Sequence, residues 1–402
     1  MDDQMEIINQ RKNKTTVYLI SAACFFSNIS QLPFFVSTGM TQKLNVPIWI
    51  VLMLYLFFKK RIRIFRTTFK MCFAIGIVVE LALLSTIITN NSYFSSSVLQ
   101  CLILSFFIYC LGTFAGGDLT DKDLRFICLS YAMSATIVAI SIYLEYFSMG
   151  FDITSRQYAY ASKNSISQIV FTTVVIFMFV RFERFRILNW IKNVLILLEV
   201  VLLMMLKSRA TIIGFLVCLL YIILGKQFNR KLRNLLALII IVSILGLFFN
   251  RNLFNMIVNN IMFAGRDASN LDSLTSGRIS ILSEFTTLIR GHWFTGVGAL
   301  YYECFPLSCI LQFGVVAGIL IIGISYLPII KGIRFGKSDI YFSILSIVCI
   351  GYGINSFFEG LAPIGPGVKC YFMWLMYGIL YAQKIQSNSR IKGINMRGNK
   401  YE

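Results

Sequence analysis

Apolar runs long enough to cross a membrane recur along the whole chain. They fall near residues 17–36, 46–58, 71–89, 98–116, 125–147, 165–180, 189–206, 210–225, 234–249, 307–330, 340–357 and 370–383. A hydrocarbon core of about 30 Å takes about 20 apolar residues as a helix. The runs at 46–58 and 370–383 are short and need flanking residues or neighbouring protein to cross. The expected fold is therefore all-α: a polytopic membrane bundle of about 12 transmembrane helices, one integral membrane domain over residues 1–402. With 57% of residues hydrophobic, a soluble two-domain enzyme is excluded. The first run is long and lacks a small-x-small cleavage site, so it reads as a retained anchor and not a signal peptide.

A net charge of +19 on a soluble chain would point to nucleic acid. Here lysine and arginine gather in alternate connectors, which is a topological pattern. One set holds Arg11, Lys12 and Lys14, the basic run KKRIRIFRTTFK after the second span, and Lys122 and Arg125. It continues with Arg181, Arg184 and Arg186, then Lys226, Arg230, Lys231 and Arg233, then Lys331, Arg334 and Lys337, and ends in the basic tail. The opposite set is sparse, and the bias is roughly 27 to 10. By the positive-inside rule both termini are expected in the cytoplasm. The ten cysteines lie mostly within spans, with no CxxC pair and no His/Cys cluster, and read as small packing residues.

One long segment stands out, residues 250–306, which this register places outside the cytoplasm. It keeps Arg251, Arg266, Arg278 and Arg290, although outer loops normally shed positive charge. Such a loop is a candidate anion site. Within it, 276–290 reads as an amphipathic helix capped by Ser276 and ended by Gly291. Ile279, Leu282, Phe285 and Ile289 recur on one face, and Ser283, Glu284, Thr287 and Arg290 share the other. Arg278 lies in the first turn, where free backbone N–H groups also favour an anion. Trp293 follows, suited to an interface, and the turn-rich GHWFTGVG leads back to a span.

Other residues carry candidate chemistry. Arg209 sits in LKSRAT, a connector of about three residues. It reads either as an interfacial snorkelling side chain or as a fixed, bidentate phosphate donor. Arg156 and Lys163 flank Tyr158 in RQYAYASKNS, a solvated loop or a rim for sugar and phosphate. His292 and Glu303 are candidate bases, against plain surface roles. Glu80, Glu199 and Glu359 lie in or at the ends of spans, where carboxylates are costly. No Walker motif, strand–helix GxGxxG, nucleophile elbow or HExxH occurs, so ATP hydrolysis, redox chemistry and zinc peptidase activity are disfavoured. No cofactor and no metal site is expected.

The spans, the long loop before the tenth of them, the SRA turn and the stretch GRISILSEFTTLIRGHWFTGVGALYYECFPLSCILQFGVVAGIL together resemble the O-antigen ligase/polymerase superfamily. In that family an arginine opens a helix, a W/F-x-G-x-G turn follows, and a glycine-patterned span comes next. The matching positions are Arg278, then Gly296 and Gly298, then Gly314 and Gly318, and Lys163–Ser165 matches a segment that opens a span.

The resemblance implies a membrane glycosyltransferase acting on polyprenyl-diphosphate-linked glycans at the outer face of the bacterial plasma membrane. It implies that Arg209 and Arg278 grip the diphosphate. Arg156, Lys163, Arg266, Arg290, Tyr158 and Trp293 are the further candidates for substrate binding, and His292 and Glu303 for proton transfer. Ligases of the family carry a histidine shortly before the last glycine-patterned span. Glu303 and Cys304 stand there instead, which favours a capsule or O-antigen repeat-unit polymerase. The expected partners are the lipid-linked oligosaccharide, membrane lipids, a chain-length regulator and a flippase, with no nucleic acid. The alternatives are a ligase that transfers glycan to an acceptor, and a lipid-linked-sugar flippase.

Overall fold

A computed structural model describes residues 2–59, 64–150, 163–182, 185–258, 278–335, 339–365 and 370–398. Every regular element among them is a helix. In chain order these are α1 (Asp2–Ile29), α2 (Pro33–Ser37), α3 (Thr41–Phe58), α4 (Arg66–Thr89), α5 (Ser97–Gly116), α6 (Asp121–Ser148), α7 (Lys163–Phe179) and α8 (Arg186–Met205). There follow α9 (Arg209–Leu224), α10 (Arg230–Phe249), α11 (Arg251–Asn255), α12 (Arg278–Leu288), α13 (Phe305–Phe335), α14 (Ile340–Asn355) and α15 (Tyr371–Gly398). Among the described residues, α4, α5, α6, α8, α10 and α13 are long and apolar enough to cross a membrane. Shorter apolar helices lie in α3, α7, α9 and α14. The chain is a multi-pass membrane protein.

Several boundaries depart from the expected spans. The run at 17–36 is broken, because α1 stops at Ile29 and α2 restarts at Pro33. A proline suits the first turn, where its missing N–H costs no bond. Elsewhere local caps set the ends. Thr120 and Asp123 form a reciprocal capping box at α6, and Ser96 caps α5 by accepting from Val98 N.

The helices pack through small residues, as expected where lipid removes the hydrophobic drive between spans. The broadest interface joins α5 to α15. Any Cβ on Gly112 would strike the Leu375 carbonyl, and one on Gly378 the Tyr109 carbonyl, so these backbones meet directly. Tyr109 and Tyr377 stack beside that contact, ring centroids 5.3 Å apart. On another flank α1 lies along α6, where Asn28 Nδ2 donates to Tyr131 O and Ser134 Oγ, each at 3.0 Å. α7 packs on α8 and α6, and α14 joins α9 to α13.

The largest correction concerns the span expected at 307–330. α13 breaks at Gly314, whose backbone is left-handed, with φ 75° and ψ 175°. The break folds the chain so that a Cβ on Gly318 would lie 2.8 Å from Ile310 Cα. In a straight helix those two residues would stand about 12 Å apart. Residues 305–313 are therefore a short helix turned back against the one that crosses. Gly318 is small where the two halves touch.

Candidate functional site

Contacts between connectors sort the ends of the helices into two sets. At one end, Tyr93 OH donates to Gly296 O at 3.1 Å, Thr211 Oγ1 to Asn355 Oδ1 at 3.5 Å, and Phe305 N to Ser356 O at 2.9 Å. At the other, Arg125 Nη2 donates to Arg181 O at 2.6 Å and Tyr341 OH to Asp121 O at 2.8 Å. Among the described residues, the connectors that hold Arg125 and Arg181 fall in the second set. The Arg209 turn and the segment that leads into Phe305 fall in the first.

Arg209 opens α9 from a tight turn after α8 and is half-buried. Lys207 makes that turn possible with a left-handed backbone, φ 50°, uncommon for a residue with a side chain. Lys207, Ser208 and Thr211 are all buried. Around them run hydrogen bonds that tie three helices together. Thr211 Oγ1 pairs with Ser167 Oγ of α7 at 2.9 Å and with Ser208 Oγ at 3.1 Å. Asn355 Nδ2 donates to Gly351 O at 3.1 Å, close to Gly214 of α9. Arg209 thus stands on a rigid polar footing. The start of α7, with Lys163 half-buried at its first turn, belongs to the same neighbourhood through Ser167. Sequence reading missed Ser167, Lys207, Thr211 and Asn355. Lys207 and Thr211 flank Arg209 within LKSRAT but carry no motif of their own, and Ser167 and Asn355 are distant in the chain.

The segment after α12 is built on three left-handed glycines, Gly291, Gly296 and Gly298. Its backbone knits into the break of α13. Val297 N donates to Leu311 O at 2.9 Å, Gly298 N to Gln312 O at 3.2 Å and Val315 N to Trp293 O at 2.8 Å. A Cβ on Gly296 would strike the Gln312 carbonyl, and one on Gly314 the Phe294 carbonyl, so only glycine fits on either side. The expected helix at 276–290 is present as α12, opening on Arg278. Its proposed cap, Ser276, and the side chains of Arg278 and Ile279 lie outside the described residues. Phe285 and Ile289 are buried against Tyr302 and Leu311, as the apolar face predicted. Leu282, expected on that face, is 56% exposed and faces outward. Glu284, Thr287 and Arg290 are exposed.

His292 and Trp293 lie exposed on this turn, where the His292 carbonyl accepts from Gly296 N at 2.7 Å. Glu303 is exposed just before α13. Tyr301 lies within electrostatic reach of two carboxylates. Packing around its ring, then the charges of Glu359 and Glu303, hold its phenol above the usual tyrosine value. Tyr302 is pushed up to about 12, first by burial and then by Glu284 and Cys304, despite an opposing hydrogen bond at Phe285. Both phenols therefore stay neutral at physiological pH.

The three span carboxylates divide. Glu80 is exposed on the flank of α4. Glu199 is buried and accepts from Thr136 Oγ1 at 3.0 Å. Glu359 is buried at the end that holds Tyr301. Arg156, Tyr158 and Arg266 lie outside the described residues. A cavity of about 510 Å³ lies at the opposite end, lined by Arg125, Arg181, Gln227, Asn229, Asp339 and Tyr341 among others. It is not part of this site.

A search among curated proteins finds no match. The family model described as O-antigen ligase matches residues 193–308, less than a third of the chain. The matched region runs from α8 through the Arg209 turn and α12 into the first half of α13. Members of that family are membrane glycosyltransferases, ligases or polymerases. Over residues 193–308, then, this chain matches the domain described as O-antigen ligase.

Proposed function

We propose that this protein polymerises polyprenyl-diphosphate-linked oligosaccharide repeats into capsular or O-antigen polysaccharide at the outer face of a bacterial plasma membrane, with both termini cytoplasmic. The observation that carries the reading is the meeting of the Arg209 turn and the α12 turn segment at one end of α14. Thr211 bonds to Asn355 there, and Phe305 bonds to the adjacent Ser356. That end also bears the sparse basic set, whose arginines orientation does not explain.

The chemistry follows from the groups. Breaking an anomeric C–O bond to a diphosphate releases a strongly charged leaving group, with one more negative charge than the bound diester, near low-dielectric lipid. Fixed guanidinium groups stabilise that charge without proton transfer. In this reading Arg209 and Arg278 hold the diphosphate, Lys163 and Arg290 extend the basic rim, and Arg156 and Arg266 are further candidates for substrate binding. Glu303 or His292 takes the proton of the incoming sugar hydroxyl. Trp293 and Tyr158 offer faces for sugar rings. Glu303 stands where the ligases place their histidine, which favours chain growth over transfer to a separate acceptor.

The test is a glycan size profile from cells lacking the chain and complemented with variants. Arg209→Ala and Arg278→Ala, each confirmed as inserted, are expected to leave single repeats with no long ladder. A full ladder in either variant removes that arginine from the mechanism. Long chains left on the carrier lipid in the deletion strain mean a ligase, and repeats trapped on the cytoplasmic leaflet mean a flippase.

A further inference from the structure

Buried polar side chains in a membrane bundle are held by hydrogen bonds or cost dearly. Gln312 is such a side chain, 4% exposed, in the short helix before the break in α13. Its amide is used on both sides. Oε1 accepts from Ser96 Oγ at 2.5 Å. Nε2 donates to Leu300 O at 2.6 Å and to Ser308 Oγ at 2.8 Å. Ser96 is the cap of α5, Ser308 lies one turn back in the same short helix, and Leu300 lies between the glycine turn and Glu303. The Gln312 backbone carbonyl also accepts from Gly298 N, and it fills the space a side chain on Gly296 would need. One residue thus fastens the returning half-helix, the α4–α5 connector and the turn segment to each other.

The segment so fastened carries exposed His292 and Trp293 at one end and exposed Glu303 at the other. Exposed groups on an irregular segment owe their position to whatever pins the backbone beneath them. Here Tyr93 OH pins Gly296 O at 3.1 Å on one side of the turn, and Gln312 pins Leu300 O on the other.

We propose that Gln312 is a positioning residue for glycosyl transfer: its amide holds the 292–303 segment over the broken helix, so that the groups facing the substrate keep their geometry. The proposal rests on the function proposed above. Gln312 does not touch the substrate. It acts through the backbone of Leu300 and Gly298, so its loss is expected in turnover more than in binding.

The experiment uses the full-length chain in lipid vesicles, with the host's own polyprenyl-diphosphate-linked repeat as substrate. Gln312→Leu keeps the size and removes all three side-chain bonds. It is expected to lower kcat by about 10- to 100-fold with KM changed less than about 3-fold, the signature of lost alignment. Gln312→Glu keeps the acceptor for Ser96 but, as a carboxylate, has no proton for Leu300 O. Its activity relative to wild type is expected to recover as pH falls and the carboxyl regains a donor. A purely structural role would give no such recovery. Hydrogen exchange supplies a readout apart from activity: the amides of Val297, Gly298 and Val315 should exchange faster in Gln312→Leu while those of α5 and α15 do not. Unchanged exchange at those three amides overturns the proposal, as does wild-type kcat in Gln312→Leu. If Gln312→Leu fails to insert, the acid recovery of Gln312→Glu decides: recovery upholds the proposal and its absence overturns it. If wild type itself extends no chain, the polymerase reading falls, and the exchange measurement alone decides whether Gln312 holds the turn.

Discussion

At the scale of single residues, the most constrained positions are glycines whose backbones leave no room for a side chain. Gly314 combines a left-handed φ with a carbonyl where its Cβ would go. Gly314→Ala is expected to destabilise the protein by at least about 1–3 kcal/mol, read as a lower melting temperature in detergent. Gly246 has the same residue type in an ordinary helix with open space around it, and Gly246→Ala is expected to be neutral or mildly stabilising in the same assay. Tyr302 offers a test of protonation. Its phenol is pushed up to about 12, so it holds its proton across the working range. Tyr302→Phe should therefore leave the shape of the pH–activity profile unchanged between about pH 6 and 9. Sequence reading found the glycine turn by its pattern, but it could not tell which glycine breaks the helix. Gly314 and Gly318 look alike in sequence, and small residues are ordinary in membrane helices. Only the backbone angles separate a hinge from a contact.

At the scale of elements, helix existence was legible because apolar length carries it, and α9, α10 and α12 lie within a few residues of their expected bounds. The half-helix at 305–313 was not legible, since a returning apolar segment has the same composition as a crossing one. The polar footing of Arg209 was hidden for another reason: Thr211 and Asn355 are far apart in the chain, and no periodicity encodes their meeting. Caps give a test at this scale. Asp339 caps α14, and its carboxyl lies above the usual value, chiefly through burial, although its bond to Ile340 N opposes the shift. A raised carboxyl favours the protonated form in the folded state, so its contribution is fullest in acid and is lost as pH rises through the folded value. Asp339→Asn caps about as well without the charge. It is expected to melt higher than wild type at about pH 7.5 and to lose that advantage in acid.

For the molecule as a whole, two independent observations describe the same two-sided object. For the described connectors that hydrogen bonds join, the grouping follows the alternation of charge along the sequence. Reporter fusions should follow suit. A periplasm-dependent phosphatase is expected to be active when joined after Gly150 and inactive when joined at the C-terminus, and the reverse result would invert the proposed site. The interior is unevenly shared between helices. Trp374 of α15 is fully buried, with its indole N–H on Pro363 O at 3.1 Å, and Trp374→Ala is expected to cost about 3–5 kcal/mol. α10, by contrast, buries no residue and, among the described residues, meets only α9 and α11 to any extent. Most of its side chains are exposed on the flank of the bundle, where a membrane would meet them. Its history in related chains should then show a particular drift: letters exchanged freely among Leu, Ile, Val and Phe, with oiliness and length kept and identity lost. α15 should change slowly and in step with α5, since neither can alter its outline unless the other does.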